Sequence, residues 1–174
     1  ALTGATGFVG STLIEAAAEA GLDLKALTRR DQRPREGVEW VRGDLDDKAA
    51  LRRLVHGSEA VLHVAGVVNA PDPVGFEAGN VAGTLNLIEA CRAEGVRRFV
   101  FVSSLSAREP ELSAYGASKA RAEKVVMASG LVWTMVRPPA IYGPRDTEMF
   151  EMFRIARWGL MPMPPREGRM SVIH

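Results

Sequence analysis

Short apolar runs alternate along the chain with longer segments in which apolar residues recur at helical spacing. The runs at 60–65 and 98–102 are almost wholly apolar, as is typical of strands covered on both faces of a sheet. The pattern predicts strands at 24–28, 38–42, 60–65, 98–102, 131–136 and 170–174. It predicts helices at 11–20, 46–56, 77–94 and 114–129, each closely followed by a glycine. This alternation predicts an α/β fold with a doubly wound parallel sheet, and proline and glycine predict loops at 138–146 and 159–168.

A glycine-rich segment, Thr3-Gly-Ala-Thr-Gly-Phe-Val-Gly10, lies between the first apolar residues and the first predicted helix. Glycines at this spacing permit a tight turn, close approach of the backbone to a pyrophosphate, and close packing of a helix on a strand. The phosphates would then lie at the positive end of the helix dipole. The strand–loop–helix context therefore predicts a dinucleotide site, with the cofactor-binding residues Gly4, Thr6, Gly7, Phe8, Val9 and Gly10.

Tyr115 and Lys119 are four residues apart in a predicted helix, so both side chains lie on one helix face. A nearby ammonium lowers the pKa of tyrosine from about 10, which makes the phenol a usable proton donor and acceptor. Ser104 follows the strand at 98–102 and could hydrogen-bond the same substrate oxygen. An exposed Tyr/Lys pair is the simpler alternative, but the context favours catalysis by Ser104, Tyr115 and Lys119.

These segments together resemble the extended short-chain dehydrogenase/reductases, also described as the NAD-dependent epimerase/dehydratase family. The matching motifs follow the family's order over nearly the whole chain: 3–10, Gly43-Asp44-Leu45, His63-Val-Ala-Gly66, Asn80-Val-Ala-Gly-Thr84, Val102-Ser-Ser104, Tyr115-Gly-Ala-Ser-Lys119 and Arg137-Pro-Pro-Ala-Ile-Tyr-Gly-Pro144. The resemblance implies a Rossmann fold, with residues 1–146 as the NAD(P)-binding domain. Residues 147–174 would begin a small C-terminal substrate region that is largely missing, since the chain looks cut at both ends.

The resemblance also implies cofactor contacts on the adenine side. Asp44 would bind the adenine amino group, and Leu45 would lie beside the ring. Ala65 and Gly66 would pass along the cofactor backbone.

On the nicotinamide side, Lys119 would hold the ribose as well as tune Tyr115. Asn80 would support that lysine, although a hydrogen bond at a helix N-terminus is an equal alternative. Ser103 is also predicted to contact the cofactor, although a structural role is the simpler interpretation. The nicotinamide would be lined by Pro138, Ala140 and Ile141.

The end of the second strand predicts which dinucleotide is preferred. Thr28-Arg29-Arg30 stands where an acidic residue would bind the ribose hydroxyls of NAD. Two guanidinium groups suit a 2′-phosphate, so we expect NADP to be preferred. NAD is the alternative, because Asp31 could supply the ribose acid if the strand runs longer.

The leading prediction is an NADP-dependent oxidoreductase that exchanges hydride with a carbonyl or secondary alcohol, with Tyr115 as the general acid/base. Only ten residues separate Ser104 from Tyr115, which is short for a sugar-nucleotide enzyme of the family. Two alternatives stay open: a nucleotide-sugar epimerase or dehydratase, and a non-catalytic NADPH-binding structural or assembly protein. The complete Ser104, Tyr115 and Lys119 set disfavours the second.

The composition indicates a small-molecule substrate as the expected partner. The net charge of the 174 residues is +1 and no apolar run approaches a membrane span, so we expect neither nucleic acid nor membrane binding. No Cys, His or acidic grouping has metal-ligand spacing. The one cysteine, Cys91, is expected to be buried in a helix, and a cytoplasmic protein is expected. A homodimer is implied by the resemblance alone.

Overall fold

The computed structural model describes residues 1–146, 148–160 and 171–174. The strands are β1 (Leu2–Thr3), β2 (Leu24–Thr28), β3 (Val38–Arg42), β4 (Ala60–His63), β5 (Arg98–Val102), β6 (Val132–Val136), β7 (Ala140–Ile141) and β8 (Val172–Ile173). The α-helices are α1 (Phe8–Glu19), α2 (Lys48–Val55), α3 (Pro73–Phe76), α4 (Gly83–Ala93), α5 (Ala114–Met127) and α6 (Glu148–Ala156). A π-helical segment, Glu77–Ala82, joins α3 to α4, and two 3₁₀ turns, Leu105–Arg108 and Pro110–Leu112, precede α5.

Six strands form one parallel sheet in the order β3-β2-β1-β4-β5-β6. The chain moves outward from β1 in one direction through β3, and then returns to the other side of β1 through β4. This order confirms the predicted doubly wound Rossmann sheet. Ligands of such sheets bind at the carboxyl ends of the strands, in the crevice where the order reverses. Here that crevice lies between β1 and β4.

Both faces of the sheet are apolar. Val61 belongs to the larger buried cluster and Leu62 packs against the smaller one, because successive strand residues point to opposite faces. The larger cluster also receives side chains from α2, α4 and α5, and the smaller one receives Ile14 from α1. Cys91 lies in the larger cluster, where burial raises the pKa of its thiol to about 12. It is therefore a packing residue, as predicted.

Capping residues set the helix starts more exactly than the apolar pattern does. Asp47 accepts a hydrogen bond from the backbone N–H of Ala50 and so begins α2 at Lys48. Ser113 caps α5 in the same way by accepting from the N–H of Gly116. Helix α1 begins at Phe8, earlier than the predicted start at Ser11, because the extended backbone of Gly7 already ends the loop.

Two segments differ from the sequence prediction. The stretch predicted to be helical at 77–94 is helical, but it is divided into the π-helical segment and α4, and the short helix α3 precedes it at Pro73–Phe76. The predicted loop at 138–146 contains β7, which pairs in parallel with β8 through Ala140 and Val172. A two-residue strand of this kind depends on its distant partner, which local periodicity does not reveal. Most of the predicted loop at 159–168 lies outside the described residues.

The chain divides into two compact units, Ala1–Arg137 and Pro138–His174. The first unit contains the whole six-stranded sheet, and the second contains the β7–β8 pair and α6. The functional division into 1–146 and 147–174 stays a prediction. Within the described ranges, no helix combines the length and the apolar character needed to span a bilayer.

Two alanine substitutions in the glycine-rich loop test how tightly it is packed. A Cβ on Gly10 would overlap the carbonyl oxygen of Gly4, whereas a Cβ on Gly7 would meet that oxygen at 3.4 Å, an ordinary contact. We expect Gly10→Ala to lower the free energy of unfolding by about 3 kcal/mol or more, because backbone must move. Gly7→Ala should change it by less than about 1 kcal/mol. Urea unfolding of both variants measures this difference, and equal losses would contradict the packing described.

Candidate functional site

The glycine-rich loop lies at the carboxyl end of β1, beside the crevice where the strand order reverses. Gly4 has a φ of +73°, a conformation that side chains rarely adopt. A Cβ there would lie 2.6 Å from the backbone nitrogen of Ala65, so the loop touches the segment after β4 backbone to backbone. Gly10 packs α1 against Gly4 in the same way. Gly4 and Gly10 thus allow the tight turn and the close helix packing that their spacing predicts, and contact of this loop with a pyrophosphate stays a prediction.

The N-terminus of α1 fits a pyrophosphate. The first N–H groups of any helix have no partner within the helix, and here the capping residue is Gly7, which adds no side chain. The first turn carries no acidic residue, so nothing there opposes an anion. Thr6 and Gly7 are exposed, and Phe8 and Val9 are half-buried. The backbone is thus bare where phosphates would approach it.

The end of β2 presents two arginines on a tight turn. The Thr28 hydroxyl is buried and bonds both the carbonyl (2.7 Å) and the N–H (3.2 Å) of Arg30. Arg29 and Arg30 are exposed. Asp31, the alternative ribose acid, forms an ion pair with Arg42 at 2.7 Å.

The end of β3 lies next to that of β2, since the N–H of Gly43 bonds the carbonyl of Thr28. One carboxylate oxygen of Asp44 accepts hydrogen bonds from the backbone N–H groups of Asp46 and Asp47. Asp44 therefore shapes the turn that precedes α2. Leu45 is held against Gly83, where an added Cβ would lie 2.7 Å from the leucine side chain.

The segment after β4 joins the glycine-rich loop to the predicted catalytic lysine. The N–H of Ala65 donates to the hydroxyl of Thr3 on β1 at 3.2 Å. A Cβ on the next residue, Gly66, would lie 3.0 Å from Oδ1 of Asn80 and 3.7 Å from Nζ of Lys119. Two consecutive residues thus contact both halves of the predicted site.

A buried hydrogen-bond chain passes through His63, which is fully shielded from solvent. Nδ1 of His63 lies 2.7 Å from the hydroxyl of Thr3, and Nε2 lies 2.9 Å from the hydroxyl of Thr84. The Thr84 hydroxyl donates to the carbonyl of Asn80 at 2.6 Å, so it must accept from Nε2 of His63. Burial, with a smaller contribution from the Lys119 charge, lowers the pKa of His63 to about 3. The ring is therefore neutral and carries its proton on Nε2.

The side chain of Asn80, in the π-helical segment, bonds both the loop after β4 and helix α5. Its Oδ1 accepts from the N–H of Val67 at 2.7 Å, and its Nδ2 donates to the carbonyl of Val67 at 2.9 Å. Nδ2 also donates to the hydroxyl of Ser118, next to Lys119 on α5, at 2.9 Å. The side chain is buried. These contacts hold the loop after β4 and the helix of the predicted lysine, rather than satisfying a helix N-terminus.

Lys119 is a buried cation with defined partners. Its Nζ donates to the carbonyl of Val102 at 2.8 Å and lies 4.4 Å from the centre of the Phe101 ring. Only 3% of the residue is exposed. Burial lowers the pKa of Lys119 to about 8, against the opposing effect of the Glu123 charge. The ammonium is therefore the predominant form at pH 7, by about ten to one.

Tyr115 and Ser104 come from elements that pack against each other. Tyr115 lies in the first turn of α5, half-buried, with its ring 6.1 Å from that of Phe76. Ser104 caps the 3₁₀ turn at Leu105–Arg108 and accepts a bond from the N–H of Ser106. A Cβ on Gly116 would lie 2.6 Å from the carbonyl of Ser106, so this turn lies directly against the start of α5.

The buried carboxylate of Glu123, which is bonded to Ser103 next to this site, was not identified from the sequence. The hydroxyl of Ser103 donates to Oε1 of Glu123 at 2.6 Å, and Arg137 donates to both oxygens of Glu123. This hydrogen bond gives Ser103 a structural role, which is the simpler of the two interpretations offered by the sequence. The spacing could have indicated Glu123, because it stands four residues after Lys119 and therefore lies on the same helix face.

The remaining predicted residues lie in the second unit. Pro138 opens that unit, and Ala140 and Ile141 form β7. Their contact with a nicotinamide ring stays a prediction. In the part of the chain that the structure describes, no group of three or more His, Cys, Asp or Glu side chains is arranged to hold a metal ion.

Known proteins share sequence and fold with this chain. Residues 4–153 match a family model described as NAD(P)H-binding. The chain is 46% identical to the ceramide reductase of Caulobacter vibrioides, over all of this chain and 56% of that protein. It is 33% identical to the 2-alkyl-3-oxoalkanoate reductase of Stenotrophomonas maltophilia, over 99% of this chain and 57% of that protein. The chain thus spans little more than half the length of these relatives.

A solved structure shares the fold and holds a dinucleotide. It is MoeE5 in complex with UDP-glucuronic acid and NAD, which superposes with a TM-score of 0.77 at 28% identity. The match covers 88% of this chain and 59% of that one.

The protonation of His63 can be tested directly. We expect the nitrogen signals of ¹⁵N-labelled His63 to show a neutral ring protonated on Nε2 and to stay unchanged from about pH 5 to about pH 9. The physical reason is that burial disfavours the charged ring and Thr84 can only accept. The exposed ring of His56 provides the internal reference. A titration of His63 within that range, or a proton on Nδ1, would contradict the assigned network.

Proposed function

Since the chain belongs to the NAD(P)H-binding family, we propose that it is an oxidoreductase that exchanges hydride between NADP(H) and a carbonyl or secondary alcohol. The relatives and the solved neighbour confirm the resemblance to the extended short-chain dehydrogenase/reductases. One observation carries the proposal. The buried Lys119 ammonium lies one helical turn from Tyr115 and beside Gly66, whose neighbour Ala65 contacts the glycine-rich loop.

The dinucleotide would be held by the residues predicted for it, with the backbone of Gly4–Gly10 at its phosphates. Bound NADPH supplies the hydride. In the direction of reduction, Tyr115 donates its phenolic proton to the substrate oxygen, and in oxidation it takes that proton back. Lys119 favours the tyrosinate that forms because its charge is close and poorly solvated. Ser104 donates a hydrogen bond to the same oxygen and orients it.

The substrate we propose is a carbonyl compound with an alkyl chain. Apolar side chains flank the first turn of α5: Phe76 contacts Tyr115, and Val74 and Leu112 are 72% and 78% exposed on the neighbouring turns. Exposed apolar groups beside a polar reacting centre suit an alkyl substituent. The name of the 2-alkyl-3-oxoalkanoate reductase describes such a substrate, and ceramide is a lipid.

The second candidate is a nucleotide-sugar epimerase or dehydratase, which MoeE5 with its bound UDP-glucuronic acid favours. The non-catalytic alternative is disfavoured because a protein that only binds NADPH does not need a buried lysine beside Tyr115. A panel of alkyl ketones and UDP-sugars, followed by NADPH absorbance, separates these candidates. Net NADPH consumption supports the reductase, and sugar conversion without it supports the epimerase. A homodimer and a cytoplasmic location stay expectations.

Replacement of the phenol tests the proposed chemistry. We expect Tyr115→Phe to reduce kcat by about 100-fold or more, because phenylalanine lacks the hydroxyl that transfers the proton in this proposal. The dissociation constant for NADPH should change little. Lys124→Met, at an exposed position in the last turn of the same helix, is the control for a substitution on α5 and should retain activity. Full activity of Tyr115→Phe with intact cofactor binding would overturn the catalytic assignment.

The proposal includes a preference for NADP over NAD, which is supported by the two arginines that follow β2. Arg29 and Arg30 are exposed on a turn fixed by Thr28, as a 2′-phosphate site requires. The carboxylate of Asp31 is already paired with Arg42, which lessens its availability to ribose hydroxyls.

Loss of the two guanidinium groups tests this preference. We expect Arg29→Ala combined with Arg30→Ala to weaken NADP binding by roughly 10- to 100-fold, the effect of losing charged hydrogen bonds. NAD binding should change by less than about 2-fold, because NAD lacks the 2′-phosphate. Arg33→Ala, on the same exposed segment, should leave both affinities unchanged. Calorimetric titration gives all of these values, and tighter binding of NAD than NADP by the unaltered protein would contradict the proposal.

A further inference from the structure

Glu123 is a buried carboxylate with a full set of partners. Only 2% of the residue is exposed. Arg137 donates from Nε to Oε1 at 2.8 Å and from Nη2 to Oε2 at 2.6 Å, a two-point contact. The Ser103 hydroxyl adds a third bond to Oε1. The carboxylate therefore links α5 to the ends of both β5 and β6.

Glu123 also stands in register with the predicted catalytic pair. Residues four apart on a helix face the same side, so Tyr115, Lys119 and Glu123 follow one another along α5 at one-turn intervals. Ser103 directly follows Val102, whose carbonyl holds the Lys119 ammonium. The carboxylate and the ammonium are therefore anchored to adjacent residues of the same strand end.

We propose that Glu123 is a positioning residue of the hydride-transfer site, whose carboxylate keeps the buried Lys119 ammonium charged and in place one turn from Tyr115. Arg137 and Ser103 hold that carboxylate at its place. This assignment rests on the proposed function, because it gives the ammonium a catalytic purpose. In the alternative, a purely structural clamp, Glu123 would only join α5 to the sheet and would not affect the charge of Lys119.

The charges around Lys119 support this assignment. Two titratable groups interact electrostatically with Lys119: Glu123 on its own helix and His63 at the end of β4. Tyr115 lies one turn before Lys119 on α5, and Arg137, after β6, is paired with Glu123. His63 is neutral. Burial raises the pKa of Glu123, but the hydrogen bonds from Arg137 and Ser103 and the nearby positive charges outweigh it, so that pKa is lowered. Glu123 is thus ionised and opposes the effect of burial on Lys119.

Two variants that break the same ion pair separate the electrostatic role from the structural one. Glu123→Gln removes the negative charge that acts on Lys119. Arg137→Gln removes the positive charge paired with that carboxylate, which keeps its bond from Ser103 and acts on Lys119 without the opposing guanidinium. Both remove the same two-point contact, so both should lower the thermal midpoint. Their effects on Lys119 should be opposite.

The measurement is a pH titration of ¹³Cε-labelled lysine by NMR in the full chain, with the Lys119 signal assigned by its loss in Lys119→Arg. We expect the midpoint of Lys119 to fall by about one pH unit in Glu123→Gln, a tenfold change in proton affinity, and to rise in Arg137→Gln. Lys25, Lys48 and Lys124 provide reference signals in the same spectra. The alkaline limb of the pH profile of kcat/KM should move in the same directions. Glu123→Asp, which keeps the charge, should restore the midpoint toward that of the unaltered protein.

Shifts in the same direction in both variants, or no shift in either, would overturn the proposal and leave a structural clamp. If Glu123→Gln does not fold, Arg137→Gln still decides the matter, because only the electrostatic role predicts an upward shift there. The titration needs no turnover. Opposite shifts of Lys119 with full activity in Tyr115→Phe would therefore refute the proposed chemistry while leaving the coupling of Glu123 to Lys119 intact.

Discussion

The burial of one ammonium group is the constraint around which the first unit is arranged. A charge removed from water must be compensated, and Lys119 has the Val102 carbonyl, the face of Phe101 and the charge of Glu123 nearby. These come from the end of β5 and from α5 itself, and Gly66 allows the loop after β4 to pass close to the same nitrogen. The compensation is incomplete, which is why the pKa of Lys119 is lowered to about 8.

Close backbone packing is what brings the two halves of the site together. Gly4 touches Ala65 and Gly66 approaches Lys119, so two consecutive residues connect the glycine-rich loop to helix α5. At Gly4 an added Cβ would overlap the backbone of Ala65, and the positive φ also favours glycine there. At Gly66 an added Cβ would crowd the side-chain oxygen of Asn80 at 3.0 Å.

The sheet and the glycine-rich loop could be predicted because their signals are local and repeated. Buried parallel strands are continuous apolar runs, and the loop has fixed spacing. The π-helical segment, β7 and the Glu123–Arg137 pair could not be predicted from local sequence, because each depends on contacts with residues distant in the chain. The role of Asn80 shows the difference: its position was noticed, but its bonds to Val67 and Ser118 belong to the folded chain.

The hydrogen-bond chain through His63 has one direction only. It begins at the N–H of Ala65, which cannot accept, and ends at the carbonyl of Asn80, which cannot donate. The hydroxyls and the imidazole between them cannot all reverse without leaving one of these backbone groups unpaired. This series of hydrogen bonds therefore cannot carry protons between the end of β1 and the π-helical segment. His63 instead fixes the position of β4 between Thr3 on β1 and Thr84 on α4.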